Sequence, residues 1–211
     1  MAINLDLSIL KNGKLLPLVE EFYTLQGEGY HTGRAAYFIR IGGCDVGCSW
    51  CDAKFTWNAK TFPPVKVDEL VDRIKDNPAK AVVVTGGEPS LYPLDYLCEL
   101  LKSHRISTFI ETSGAYPLTG QWDWICLSPK PQQQPVNGIH MKADELKVII
   151  STHNDIEWAE INAKKVKTTC KLYLQPEWSN YNEVTPWLVE YVKENPKWQV
   201  SLQAHKFMRI P

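Results

Sequence analysis

Seven short apolar runs, separated by stretches with helical periodicity, constrain this chain more than any other feature of it. Residues 35–41, 81–85, 107–111, 124–128, 146–150, 170–175 and 199–204 are nearly continuous in apolar side chains. Continuity, rather than in-out alternation, is the pattern of strands buried on both faces, as in a parallel sheet. Between them, residues 67–75 place Leu70, Val71 and Ile74 on one helical face behind a candidate cap at Asp68. Helical spacing recurs over 94–102, 156–164 and 185–193, the last with Pro186 near its start. Strands alternating with helices predict right-handed crossovers and a single α/β domain with a mostly parallel sheet. A closed eight-unit barrel typically needs about 250 residues. With 211 residues, a partial (β/α) barrel is expected.

Composition narrows the classes of function. Charged residues make up 22% and hydrophobic ones 44%, so the chain is globular and not disordered. Its 23 basic and 24 acidic residues nearly cancel and form no basic block, which argues against a nucleic-acid partner. The opening, residues 1–7, lacks a basic region ahead of an apolar run, and no apolar stretch is long enough to span a bilayer. No membrane partner is expected. The six cysteines are therefore expected as thiols in a reducing, cytoplasmic setting. Cys98, Cys126 and Cys170 lie within apolar stretches and read as core.

Cys44, Cys48 and Cys51 stand apart. They form a C-x3-C-x2-C loop that presents three thiolates together. A closed zinc site takes four ligands, and no second cysteine pair follows. A cubane cluster has four irons, so three thiolates leave one iron open to a small molecule. This spacing is the mark of radical S-adenosylmethionine (SAM) enzymes. A zinc site completed by His31, or reduced thiols in a turn, would use the same residues. Downstream, the run 81–85 leads into Gly86-Gly87-Glu88-Pro89. Two glycines allow close backbone approach to a ligand, and Glu88 accepts from an ammonium group. A strand-to-helix turn would carry a lone Gly-Gly equally well. Arg40 shares a strand face with Phe38, where a guanidinium needs an anion, either a substrate carboxylate or a structural Asp or Glu.

Taken together, the motifs resemble the 7-carboxy-7-deazaguanine synthase family, radical SAM enzymes of the 7-deazapurine (queuosine) pathway. The matching residues are Gln26-Gly27-Glu28-Gly29, Phe38-Ile39-Arg40, the cysteine loop with Trp50 and Asp52, and Thr85-Gly86-Gly87-Glu88-Pro89. They continue with Glu111-Thr112-Ser113-Gly114, Ser128-Pro129-Lys130, Leu174-Gln175-Pro176 and the ending from Gln203-Ala204-His205-Lys206 to Pro211. The resemblance implies a partial barrel of radical SAM type over residues 1–211, with an N-terminal strand and loop and a C-terminal strand contributing to the substrate site. It also implies a lyase that converts 6-carboxy-5,6,7,8-tetrahydropterin to 7-carboxy-7-deazaguanine with loss of ammonia. Cys44, Cys48 and Cys51 would hold a [4Fe-4S] cluster. SAM would lie against Trp50, Asp52, Gly87, Glu88, Ser128, Pro129, Lys130 and Gln175-Pro176-Glu177-Trp178. The pterin would meet Leu25, Gln26, Gly27, Glu28, Arg40, Thr85 and the terminal carboxylate of Pro211. A homodimer and a flavodoxin-type electron donor are implied as well.

One position departs from the family pattern. Ala53 stands where the family often carries a threonine whose hydroxyl binds magnesium. Either water and substrate alone hold the ion, or the enzyme works without it. Two other readings share the cysteines: a radical SAM enzyme that activates a glycyl radical on a partner, and a non-enzymatic iron–sulfur or zinc module. The activase gives no reason for Gln26-Gly27-Glu28-Gly29, and an iron–sulfur carrier usually ligates all four irons with protein thiolates where this loop supplies three.

Overall fold

The computed structural model describes residue 10 and residues 12–211; the opening segment read above lies outside them. The chain forms β1 (Leu15–Leu25), β2 (Ala35–Ile41), β3 (Pro64–Lys66), α1 (Val67–Ile74), β4 (Ala81–Gly86) and α2 (Asp95–Ser103). It continues with β5 (Ser107–Thr112), β6 (Trp124–Leu127), α3 (Ile139–Lys142), β7 (Glu145–Ile150) and α4 (Asn154–Ala163). The remaining elements are β8 (Lys171–Pro176), α5 (Tyr181–Glu194), β9 (Gln199–Val200) and α6 (Ala204–Met208). The nine strands make one open sheet in the order β3-β1-β2-β4-β5-β6-β7-β8-β9. Every pairing from β2 to β9 is parallel, and β1 runs antiparallel to β2 and β3. The sheet is not closed, as a partial barrel requires.

The apolar runs became the parallel strands because both faces are covered. On the outer face, α1 and α2 pack Leu70, Ile74, Leu97 and Leu101 against Ile39, Ile41, Val82 and Val84. Further along, α4 and α5 bury Ala159, Val184 and Leu188 against Leu146, Val148 and Leu174. The inner face carries the cluster of Phe22, Phe38, Phe109 and Trp124, and polar side chains such as Arg40, Thr85 and Glu111 stand towards the carboxyl ends of the parallel strands.

Two expectations are corrected, and one strand is added. Asp68 is not the cap of α1: Lys66 occupies that position, and the Asp68 carboxylate in the first turn accepts from Tyr96 Oη at 2.7 Å. Phe22 to Leu25, which none of the apolar runs above covers, end the eleven-residue strand β1. The strand expected over 199–204 stops after Val200, and the C-terminal element is the helix α6. At Ala204 the backbone N–H donates to Gly27 O at 2.8 Å rather than to a neighbouring strand, so the chain leaves the sheet.

Candidate active site

A cleft of about 360 Å³ opens along the carboxyl ends of the parallel strands, the usual ligand edge of such sheets. Its wall takes Arg40 from β2, Thr85 from β4, Glu111 from β5, Ser128 after β6, Lys147 from β7 and Gln175 from β8. The cysteine loop forms one side, and residues from α6 to Pro211 form the other.

Main-chain hydrogen bonds pin the cysteine loop. Gly43 N and Cys44 N donate to Thr56 O and Trp57 O at 2.7 and 3.1 Å, and Glu88 N donates to Gly43 O at 2.8 Å. This clarifies the two glycines after β4. A Cβ on Gly86 would overlap the backbone of Ile41, and one on Gly87 would overlap Gly43 O. Both glycines line the cleft, and their lack of a side chain also lets the turn lie against the cysteine loop. Glu88 is likewise more committed than its sequence suggests. Its Oε1 accepts from Ser90 N, Ser90 Oγ and Thr112 Oγ1, and its Oε2 from Ser113 N and Oγ. The buried carboxylate ties the turn after β4 to the end of β5 at the edge of the cleft.

Cys44, Cys48 and Cys51 all edge the cleft as free thiols. They do not close on one point. Among the described residues, no three His, Cys, Asp or Glu side chains converge as a single-ion site. His31 is stacked on Phe109 with ring centroids 4.6 Å apart and supplies no fourth ligand to the loop. Three loop thiols without His31 as a fourth ligand suit a cluster with one open iron better than a closed zinc site. Burial pushes the Cys44 thiol up to about 11 and raises that of Cys48, against which the nearby charge of Lys130 works. A cationic cluster would reverse that balance by ligating the thiolates. Lys130 donates to Ser128 Oγ at 2.5 Å and lies 5.4 Å over the Trp50 ring.

On the inner floor, Lys147 Nζ lies 2.6 Å from Glu28 Oε2 and 2.9 Å from Glu111 Oε2. Gln26 Nε2 donates to Glu111 Oε1 at 3.2 Å, while its Oε1 accepts from Gly27 N at 2.9 Å. Gln203 Nε2 donates to Glu28 Oε1 at 2.9 Å. The loop after β1 is thereby fixed from both ends of the chain. Arg40 has found a carboxylate, Glu20, with Nε donating at 2.7 Å. Its terminal nitrogens donate to no protein atom among the described residues, and the guanidinium faces the cleft between the Phe22 and Phe55 rings.

Of the residues singled out in the sequence, all three cysteines and Leu25, Gln26, Gly27, Glu28, Arg40 and Thr85 line this cleft. So do Trp50, Asp52, Ala53, Gly87, Glu88, Ser128, Lys130, Gln175, Pro176, Glu177, Trp178 and Pro211. Of the residues assigned to cluster, SAM or pterin, only Pro129 is off the wall: its carbonyl accepts from the Trp158 indole at 3.1 Å. Lys147 and the side chain of Glu111 were missed. The available signal was a lysine inside the apolar run 146–150, the argument already applied to Arg40.

An open parallel sheet with three loop thiols beside a Gly-Gly-Glu turn defines a radical SAM enzyme, and residues 38–127 match the Radical SAM superfamily. The chain is 55% identical to the 7-carboxy-7-deazaguanine synthase of Flavobacterium psychrophilum over 202 residues, 96% of each protein. It is 46% identical to that of Synechocystis over 92% of this chain and 93% of the relative. The crystal structure of QueE from Escherichia coli superposes with a TM-score of 0.82 at 31% identity, covering 96% of this chain and all of that one. The chain belongs to the 7-carboxy-7-deazaguanine synthase family.

Proposed function

We propose that this cleft holds a [4Fe-4S] cluster, SAM and a pterin together. There the enzyme converts 6-carboxy-5,6,7,8-tetrahydropterin to 7-carboxy-7-deazaguanine and ammonia. The observation that carries the reading is the Glu28–Lys147–Glu111 floor in the same cavity as the three thiols. A pterin presents N–H donors on its pyrimidine edge, and fixed carboxylates are the acceptors such an edge requires.

Cys44, Cys48 and Cys51 would ligate three irons and leave the fourth for SAM. When bound, cluster and SAM supply reductive radical generation and the removal of a substrate hydrogen atom. The protein's part is binding, orientation and electrostatics. The turn at Gly87 and Glu88, with Trp50, Asp52, Ser128, Lys130 and Gln175 to Trp178, would hold SAM, Pro129 supporting from behind. Arg40 would receive the substrate carboxylate on its free terminal nitrogens, a planar fork suited to two oxygens. Leu25 to Glu28, Thr85 and Pro211 would enclose the pterin ring.

A flavodoxin-type donor, a homodimer and a cytoplasmic setting complete the proposal. In its support, no helix among the described residues is long and apolar enough to cross a membrane. The test is anaerobic reconstitution with iron and sulfide, then incubation with SAM, reductant and the tetrahydropterin. Appearance of the deazapurine by mass spectrometry is expected. A brown, SAM-binding protein that leaves the pterin unchanged would overturn the reading.

A further inference from the structure

We propose that Lys206 is a positioning residue coupling the pterin part of the cleft to the SAM part, so that each ligand tightens the other. This rests on the division of the cleft given above. Lys206 Nζ lies 2.8 Å from Asp52 Oδ2 and 3.1 Å from Gln203 Oε1, and 4.7 Å over the Trp178 ring. Asp52 directly follows the last cysteine, and Trp178 follows the end of β8. One ammonium group therefore joins two separate segments of the SAM wall.

The segment bearing that ammonium is also bound to the pterin wall. Ala204 N donates to Gly27 O at 2.8 Å, and Gln203 Nε2 to Glu28 Oε1 at 2.9 Å. His205 is packed so closely on Gly27 that a Cβ there would overlap its ring. Beyond α6, Arg209 adopts φ 55°, Ile210 N donates to His205 O at 3.1 Å, and the chain folds back to bring Pro211 to the cleft. Phe207 adds edge contacts to Trp178 and Tyr181, each with centroids 5.5 Å apart. A pterin that orders residues 203–211 thus also orders Asp52 and Trp178, and SAM on those residues orders the strap in return. Such coupling is reciprocal by linkage. Exposed ion pairs and cation–π contacts are individually weak, so the effect belongs near the lower end of the usual range, about fivefold.

The test uses cluster-reconstituted protein kept oxidised, in which SAM binds without being cleaved. Its dissociation constant is measured by equilibrium dialysis with and without saturating 6-carboxytetrahydropterin. We expect the pterin to tighten SAM binding about fivefold in the unaltered protein, and Lys206→Met to bring the ratio to about one. Lys206→Arg should retain it. Should Lys206→Met fail to fold, Lys206→Gln takes its place. A normal ratio in the folded, iron-replete variant overturns the proposal, as does a ratio of one in unaltered protein that turns over the pterin. Absence of turnover altogether would instead strike at the functional reading.

Discussion

Lys147 and Glu28 lie 119 residues apart in sequence and meet at 2.6 Å on the floor of the cleft. Burial by itself would raise the Glu28 carboxyl, but the charge and hydrogen bond of Lys147, aided by Gln203, hold it down at about 2. Burial also opposes the Lys147 ammonium, and the surrounding Cys126, Glu111 and Glu28 keep its pKa well above the ordinary value. Removing one partner of such a group leaves uncompensated buried charge. Lys147→Met should therefore cost about 3–5 kcal/mol of stability and pterin turnover with it. Adding Glu111→Gln should restore part of the melting temperature. A single variant that melts like the unaltered protein would show that the carboxylates do not need the lysine.

Arg40 separates affinity from stability. Its partner Glu20 is half exposed, so the pair contributes about 1 kcal/mol or less to folding. Arg40→Ala should leave the melting temperature nearly unchanged while the pterin KM rises steeply. If Glu20→Ala raises KM as much as Arg40→Ala does, the arginine serves the strand and not the substrate.

Glu145 should make stability fall as pH rises. Its Oε2 accepts from Tyr30 N and Trp124 Nε1 at 3.2 and 3.0 Å, while its buried Oε1 has no partner. Burial and the neighbouring Glu111 push this carboxyl from 4.5 up to about 7, outweighing Lys147. The folded protein thus holds a proton that the unfolded chain releases earlier. The resulting stability is full below 4.5 and lost as pH rises towards 7, opposite in sign to Glu28, whose contribution is lost on acidification below 4.5. Glu145→Gln should flatten thermal melts across that upper window. An unchanged slope would mean that Glu145 stays ionised in the fold.

The cysteines should divide into two groups. Cys44→Ala, Cys48→Ala or Cys51→Ala should lower iron content and abolish turnover. Cys98→Ala and Cys170→Ala, both buried away from the cleft wall, should cost only about 1 kcal/mol through a small void. Iron content and activity retained in Cys48→Ala would remove the loop from the cluster.

Magnesium should matter little. Ala53 lines the cleft without a side-chain oxygen, and the adjacent Asp52 carboxylate is already engaged by Lys206. A hard cation needs oxygen ligands. Chelation is expected to leave the rate largely intact, and Ala53→Thr to introduce a magnesium response. A saturable requirement in the unaltered protein would mean that other oxygens complete the shell.

By itself the sequence determined the parallel strands and the four longer helices, and its motifs named many of the residues that line the cleft. Continuous apolar runs and C-x3-C-x2-C are local patterns, legible from neighbours in the chain. No apolar run marked strand β1, which only the resemblance implied, because Glu20 and Glu21 interrupt its pattern; each is balanced by an arginine elsewhere, Arg40 on one side and Arg73 on the other. The helix α6 was hidden because Gln203 and Ala204 spend their donors on Glu28 and Gly27, far away in sequence. Only the tertiary structure decided that Glu88 is a hub, that Lys147 stands between two glutamates, and that Lys206 joins Asp52 to Trp178. The deciding partners come from other segments of the chain, and for Glu88 and Lys147 burial makes leaving them unpaired costly.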